Sequence, residues 1–235
     1  MRRHTDRTPL QRWTRNLLLI VISAIITALL LSIPFAFEAK AAEPTARVRV
    51  PEHAVTYRLR IEREAARNFG LDGDAVVARM AAQIHQESGW RANAASPYAY
   101  GLTQFTPATA RWLPTVCPEV GEPDVWDASW AIRAQSCYMA WLHRRVGRIG
   151  VQPIDDCTRW NFALRGYNGG EGWLTRERRL ALNAGANPNA WREVEGFRSR
   201  AGWAHKENTH YPRVILLRLE PAYIAAGWPG DQVCP

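Results

Sequence analysis

Two hundred and thirty-five residues, 47% hydrophobic and 22% charged, with 16 Gly and 15 Pro, make a chain long enough to bury one sizeable core. That composition excludes collagen, low-complexity disorder and a polytopic membrane protein. Thirty basic side chains stand against 22 acidic ones, but six of the basic ones (Arg2, Arg3, Arg7, Arg12, Arg15, Lys40) and only Asp6 and Glu38 of the acidic ones fall in residues 1–41. The remainder carries 24 against 20, too mild a surplus to name a partner, and no nucleic acid is expected.

In chain order, an uncharged run from Leu17 to Ile33 follows five arginines and precedes Pro34 and the small-x-small string Ala39-Lys40-Ala41. Residues 1–41 therefore read as an export segment, either a cleaved signal peptide or an uncleaved anchor in the inner membrane, with the rest of the chain in the periplasm. Cys117, Cys137, Cys157 and Cys234 all lie beyond it without the spacing of a zinc site, so two disulfides are expected, and the sequence leaves three pairings open. No metal and no cofactor are expected. Residues 42–70 read as a linker and leading helix, with 43–56 either linker or a short strand; 71–220 form one catalytic domain and 221–235 a tail.

Helical patterns dominate. Asp72 or Asp74 can cap a helix over 75–88, where Val77, Met80, Ala81, Ile84 and Ser88 share a stripe that Gly89 ends. Thr106-Pro107 opens a short helix. Asp127 or Ser129 starts the longest one, with Trp130, Ala134, Cys137, Tyr138, Trp141 and Leu142 inward. Thr158 can cap another, with Trp160, Ala163, Leu164 and Tyr167 inward, halted by Asn168-Gly169-Gly170. Tyr211 to Leu219 reads as a last apolar helix, and no strand pattern competes, so the domain is mainly α.

Glu87 stands three residues after Ile84 and seven after Met80, which turns its carboxyl toward the apolar stripe. Partial burial, the negative end of the helix dipole and the lack of a basic residue one turn earlier all disfavour its charged form. A glutamate that keeps its proton near neutrality suits a general acid acting on a leaving oxygen. On helix geometry alone, a solvated acid at a fraying end is the competing reading.

The surrounding strings decide between them. Gln86-Glu87-Ser88-Gly89-Trp90, then Ser96-Pro97-Tyr98-Ala99-Tyr100-Gly101-Leu102-Thr103-Gln104-Phe105-Thr106-Pro107, then Gly166-Tyr167-Asn168-Gly169-Gly170 and Glu207-Asn208-Thr209-His210-Tyr211-Pro212-Arg213-Val214 follow in order. This ordered set resembles the catalytic segment of soluble-type (family 1, SLT) lytic transglycosylases, whose fold is related to goose-type lysozyme. The resemblance covers residues 72 to 218 and implies a lysozyme-like α domain. It departs from the pattern at Thr103, where Met lines the sugar cleft, at Gly166, and in a Ser96–Gly101 loop one residue short.

The resemblance implies cleavage of the β-1,4 bond between N-acetylmuramic acid and N-acetylglucosamine in peptidoglycan glycan strands, with Glu87 acting first as acid and then as base. It implies that Ser96 hydrogen-bonds near Glu87, that Gln104 contacts glycan beside Phe105 and Asn168, and that Tyr167 and Tyr211 border the acid. From Ser88 to Pro118 there is no other acid, which fits a reaction with one carboxylate; Asp155 or Asp156 is the remote partner that a hydrolase would need. Trp90, Trp173 and Trp203 read as loop residues for sugar stacking, and Trp130, Trp141 and Trp160 as core. A hydrolase on the same fold, or a catalytically silent wall-binding module of a secretion, conjugation or phage apparatus, are the rival readings.

Overall fold

A computed structural model describes residues 48–234, so the apolar run, the cleavage string and the first residues of the proposed linker lie outside the described residues. The centre of the molecule is a helix with almost no polar face. From Val76 to Ile84 every residue is buried, because neighbours cover it on all sides. The elements before it are a 3₁₀ turn at Glu52–Tyr57, where linker or strand was expected, and α1 (Arg58–Phe69). The central helix is α2 (Gly73–Ser88); its first residue packs so closely on α1 that a methyl there would lie 2.6 Å from the Ala66 Cα. Neither Asp72 nor Asp74 supplies the expected cap: Asp72 holds the cap position without a side-chain bond, since the preceding 3₁₀ turn already leads into the helix. Gly89 ends α2 in the left-handed conformation, its N–H bonded to His85 O.

The remaining helices are α3 (Pro107–Trp112), α4 (Ala128–Arg145), α5 (Asp156–Gly169), α6 (Glu171–Asn183), α7 (Trp191–Val194), α8 (Gly202–Val214) and α9 (Glu220–Ala225), with a π turn at Ile215–Leu219. Among the described residues there is no strand, only isolated bridges pairing Tyr100 with Ala95 and with Phe105. Thr106 caps α3 by accepting from Thr109 N, and Asp127 caps α4 by accepting from Ser129 N and Trp130 N. Asp155, rather than Thr158, caps α5: its carboxylate accepts the Thr158 N–H at 2.6 Å, and the Thr158 side chain is buried. The elements not legible as helices were α6, α7, the first two turns of α8, and α9, which falls where a tail was expected.

Two disulfides settle the pairing, Cys117 with Cys137 and Cys157 with Cys234. The first fastens the segment after α3 to the middle of α4. The second, spanning 77 residues, holds the C-terminal segment against α5. That segment also carries α9 and the buried Trp228, and Asp231 O accepts from Arg79 Nη2 at 3.0 Å. Arg79 in turn pairs with Glu220 at 2.7 Å and lies over the Trp160 ring at 4.3 Å.

Candidate active site

The last turn of α2, the 94–106 loop, the end of α5 and one face of α8 enclose a cleft of about 880 Å³. Gly101 fixes the loop: it has φ +77°, and a side chain there would run into the Val125 carbonyl. The structure brings Glu87, Ser96, Gln104, Phe105, Tyr167, Asn168 and Tyr211 to this one cleft.

Glu87 is half-buried on the cleft wall, and its pKa is raised to about 8. Burial is the main cause; the nearby charge of Glu207 adds to it and the hydrogen bond from Tyr211 opposes it. The Tyr211 hydroxyl donates to Glu87 Oε1. Its lone pair accepts from Gln83 Nε2 at 3.1 Å, and Gln83 Oε1 accepts from Gln135 Nε2 at 2.9 Å. Gln135 Nε2 also donates to the Met80 carbonyl at 3.2 Å, which can only accept, so the Gln135 amide and in turn that of Gln83 are oriented and the phenolic proton points to Glu87. Gln83 lies one helical turn before Glu87, and a polar residue at the heart of an apolar stripe was the signal that sequence reading passed over.

Tyr167 approaches from α5. Its hydroxyl donates to Thr103 O at 2.8 Å, and burial together with the charge of Glu87 raises its pKa well above the usual phenol range. Phe105 packs tilted against Tyr167 at 5.5 Å between ring centroids and edge-on against Trp130 at 5.6 Å, an apolar patch in the cleft wall. Asn168 Oδ1 accepts from Asn208 Nδ2 at 3.0 Å.

Two of the gathered residues are otherwise engaged. The Ser96 hydroxyl accepts from Tyr98 N and Ala99 N and donates to Ala99 O, closing its own loop instead of reaching the acid. Gln104 sits at φ +51° with its amide nitrogen donating to Ala94 O and Gly101 O, so the group it presents to a ligand is its carbonyl oxygen.

Other expectations are corrected. Thr103 is 1% exposed and its side chain lies under the loop against Ala131, so this substitution alters packing rather than the cleft surface. Trp90 is buried at 2%, stacked on Tyr57 and donating to the Tyr223 hydroxyl, and is core. Trp173 and Trp203 do line the cleft, but from the first turns of α6 and α8 rather than from loops. Trp130 and Trp160 are core, while Trp141 is half-buried under Arg145. Asp155 is spent on its cap, and the second carboxylate of the cleft is Glu207 on α8. Among the described residues the one grouping with metal-ligand proximity is Cys117, Glu119 and Cys137, whose two sulfurs are joined to each other.

The family model of the transglycosylase SLT domain matches residues 64–189, more than half of the chain. The chain belongs to this family. It is 39% identical over 120 residues to membrane-bound lytic murein transglycosylase F of Marinobacter nauticus, covering 50% of this chain and 22% of that protein. The protein of the same name from Shewanella halifaxensis is 32% identical over 152 residues, covering 59% and 30%. The chain thus spans under a third of the length of these relatives. The crystal structure of the 70 kDa soluble lytic transglycosylase SLT70 from Escherichia coli superposes with a TM-score of 0.51 at 20% identity, over 72% of this chain and 24% of that one, and shares the fold. Among the described residues no helix is long and apolar enough to cross a membrane.

Proposed function

We propose that this protein is a peptidoglycan lytic transglycosylase that cleaves the β-1,4 bond between N-acetylmuramic acid and N-acetylglucosamine without water. One observation carries the reading: a glutamate with a pKa of about 8, held by a neutral hydrogen-bonded chain in the wall of a cleft of about 880 Å³. Protonated at neutral pH, Glu87 donates its proton to the glycosidic oxygen as the bond from the anomeric carbon breaks. The resulting Glu87 carboxylate then takes the proton of the muramic acid C6 hydroxyl as that oxygen bonds to the anomeric carbon. The glutamate is restored, no water is consumed, and a 1,6-anhydromuramoyl end forms.

Tyr211 orients the carboxyl throughout and donates to it most strongly when it is ionised between the two transfers. Phe105 and Tyr167 limit water at the reacting carbon. The Gln104 carbonyl and Asn168 supply polar contacts to the strand, Ser96 holds the loop that carries Gln104, and Trp173 and Trp203 offer flat faces to its rings. The relatives' name, membrane-bound lytic murein transglycosylase F, supports placing the chain at the inner membrane facing the periplasm, through residues 1–41 if they are retained.

Glu207 favours one second reading, a hydrolase, because it supplies a second carboxylate in the same cleft. Mass spectrometry of digested peptidoglycan separates the two. Muropeptides one water lighter than the reducing forms are expected, and reducing muramic acid ends overturn the non-hydrolytic reading. No digestion at all returns the protein to a wall-binding role in a secretion, conjugation or phage apparatus.

A further inference from the structure

Glu177 of α6 is completely buried and pairs with two guanidinium groups. Arg165 of α5, itself 0% exposed, takes one carboxylate oxygen. The Arg200 Nε donates to the other at 3.3 Å, an oxygen that also accepts from Ser199 and faces His205 Nδ1 at 3.1 Å. One carboxylate against two arginines leaves a surplus positive charge; Arg165, whose Nη1 also lacks a partner, is sealed in the core, and of the two guanidinium groups it is that of Arg200 that borders the cleft.

Arg200 is where that surplus meets the cleft. Its side chain is only 6% exposed, yet the residue lines the cleft beside Trp173, whose ring centroid is 5.7 Å from the guanidinium carbon. Its Nη2 is buried without a hydrogen-bond partner. The guanidinium passes over Gly169, where a methyl would lie 2.6 Å from Asn208 Nδ2 and closer still to Arg200 Nη1. The glycine after Asn168 therefore makes room for this group at the cleft wall. Arg200 makes its ion pair with Glu177, and none joins it to Glu207, though both residues line the cleft. A desolvated, unpaired cationic donor is costly unless an anion completes it.

Resting on the glycan-cleaving reading, we propose that Arg200 forms an anion-binding subsite that takes a carboxylate of the muramic acid residue or of its peptide stem. The shared chemistry is a carboxylate next to a sugar whose ring lies against Trp173. When the muramic acid carries no stem, the carboxylate is its own lactyl group. When a stem is attached, the lactyl group is an amide and the carboxylates belong to the peptide. A plain N-acetylglucosamine oligomer has neither.

The test uses the Glu87→Gln protein, which binds without turnover, and three ligands measured by calorimetry: an N-acetylglucosamine hexamer, stem-free glycan strands and stem-bearing strands. Adding Arg200→Gln should weaken binding of carboxylate-bearing strands by about ten- to a hundredfold and leave the hexamer within about twofold. Arg200→Lys should recover part of the loss. A loss confined to stem-free strands assigns the lactyl carboxylate, and one confined to stem-bearing strands assigns the peptide. Because Arg200→Gln also disturbs Glu177, the Glu87→Gln protein is titrated in parallel with strands whose carboxylates have been amidated, which should bind with a similar deficit. Equal loss for all three ligands, or no deficit with amidated strands, overturns the subsite while leaving the cleft's affinity for glycan in place. If the Glu87→Gln protein binds none of the ligands, the glycan reading falls and the subsite with it.

Discussion

Glu87 and Glu177 are both withdrawn from bulk water, and their surroundings differ in kind. Glu87 meets a phenol backed by two buried amides, all neutral, and its pKa rises to about 8. Glu177 meets Arg165 and Arg200, and its partners carry full charges. Neutral donors orient a carboxyl without supplying the Coulombic attraction that would keep it ionised, whereas guanidinium groups supply that attraction and lose heavily if the carboxylate is removed. In the proposed reaction Glu87 exchanges a proton, whereas Glu177 ties α5, α6 and the start of α8 together.

Exchanging the acids for neutral residues should separate these roles. Glu87→Gln should lower the rate of muropeptide release by at least ~10² to 10⁴ while far-ultraviolet circular dichroism stays unchanged. A rate near that of the parent removes Glu87 from the chemistry. Glu177→Ala should instead destabilise the fold by about 3–5 kcal/mol in urea denaturation, because it leaves Arg165 buried and uncompensated. A loss as small as that at an exposed site would mean that Glu177 does not anchor the cluster.

The pH responses sharpen the contrast. A carboxyl whose pKa rises from 4.5 to about 8 on folding holds a proton in the folded state that the unfolded chain releases across that window. Glu87 therefore costs stability progressively as pH rises from 4.5 to about 8, and Glu87→Gln should gain on the parent over that range and level off above it. Activity should decline as pH rises through about 8, where the acid loses its proton. Tyr211→Phe removes the bond that lowers the Glu87 pKa, so the decline should move to higher pH while the rate falls about tenfold. Smallest of all, Trp203→Ala, at a side chain 74% exposed, should reduce glycan affinity severalfold and change folding stability by less than about 0.5 kcal/mol.

The sequence disclosed what is local. The stripe through Val77, Met80, Ala81 and Ile84, the Gly89 stop and the caps at Thr106 and Asp127 each depend on residues within a turn or two, and each is found in the structure. Helix α6 escaped because its inward face carries Glu177 and Arg178, whose burial depends on partners in other elements and disguises the apolar period. The start of α8 escaped for a related reason: before Tyr211 its one buried residue is the polar Asn208, so its first turns carry no apolar stripe. In the candidate site the strings around Glu87, Tyr167 and Tyr211 were visible as motifs, while the Gln135–Gln83–Tyr211 relay joins residues up to 128 positions apart. Trp90 misled because it follows a helix-ending glycine and so read as loop, yet its ring turns inward onto Tyr57 and Tyr223.

The most direct measurement is a carboxyl titration of Glu87 itself. In protein carrying ¹³C at the glutamate side-chain carboxyls, the resonance that disappears in Glu87→Gln should remain that of a protonated acid at neutral pH and titrate near 8. A resonance already ionised at neutral pH, titrating in the ordinary glutamate range around 4.5, would contradict a neutral acid poised at the cleft wall.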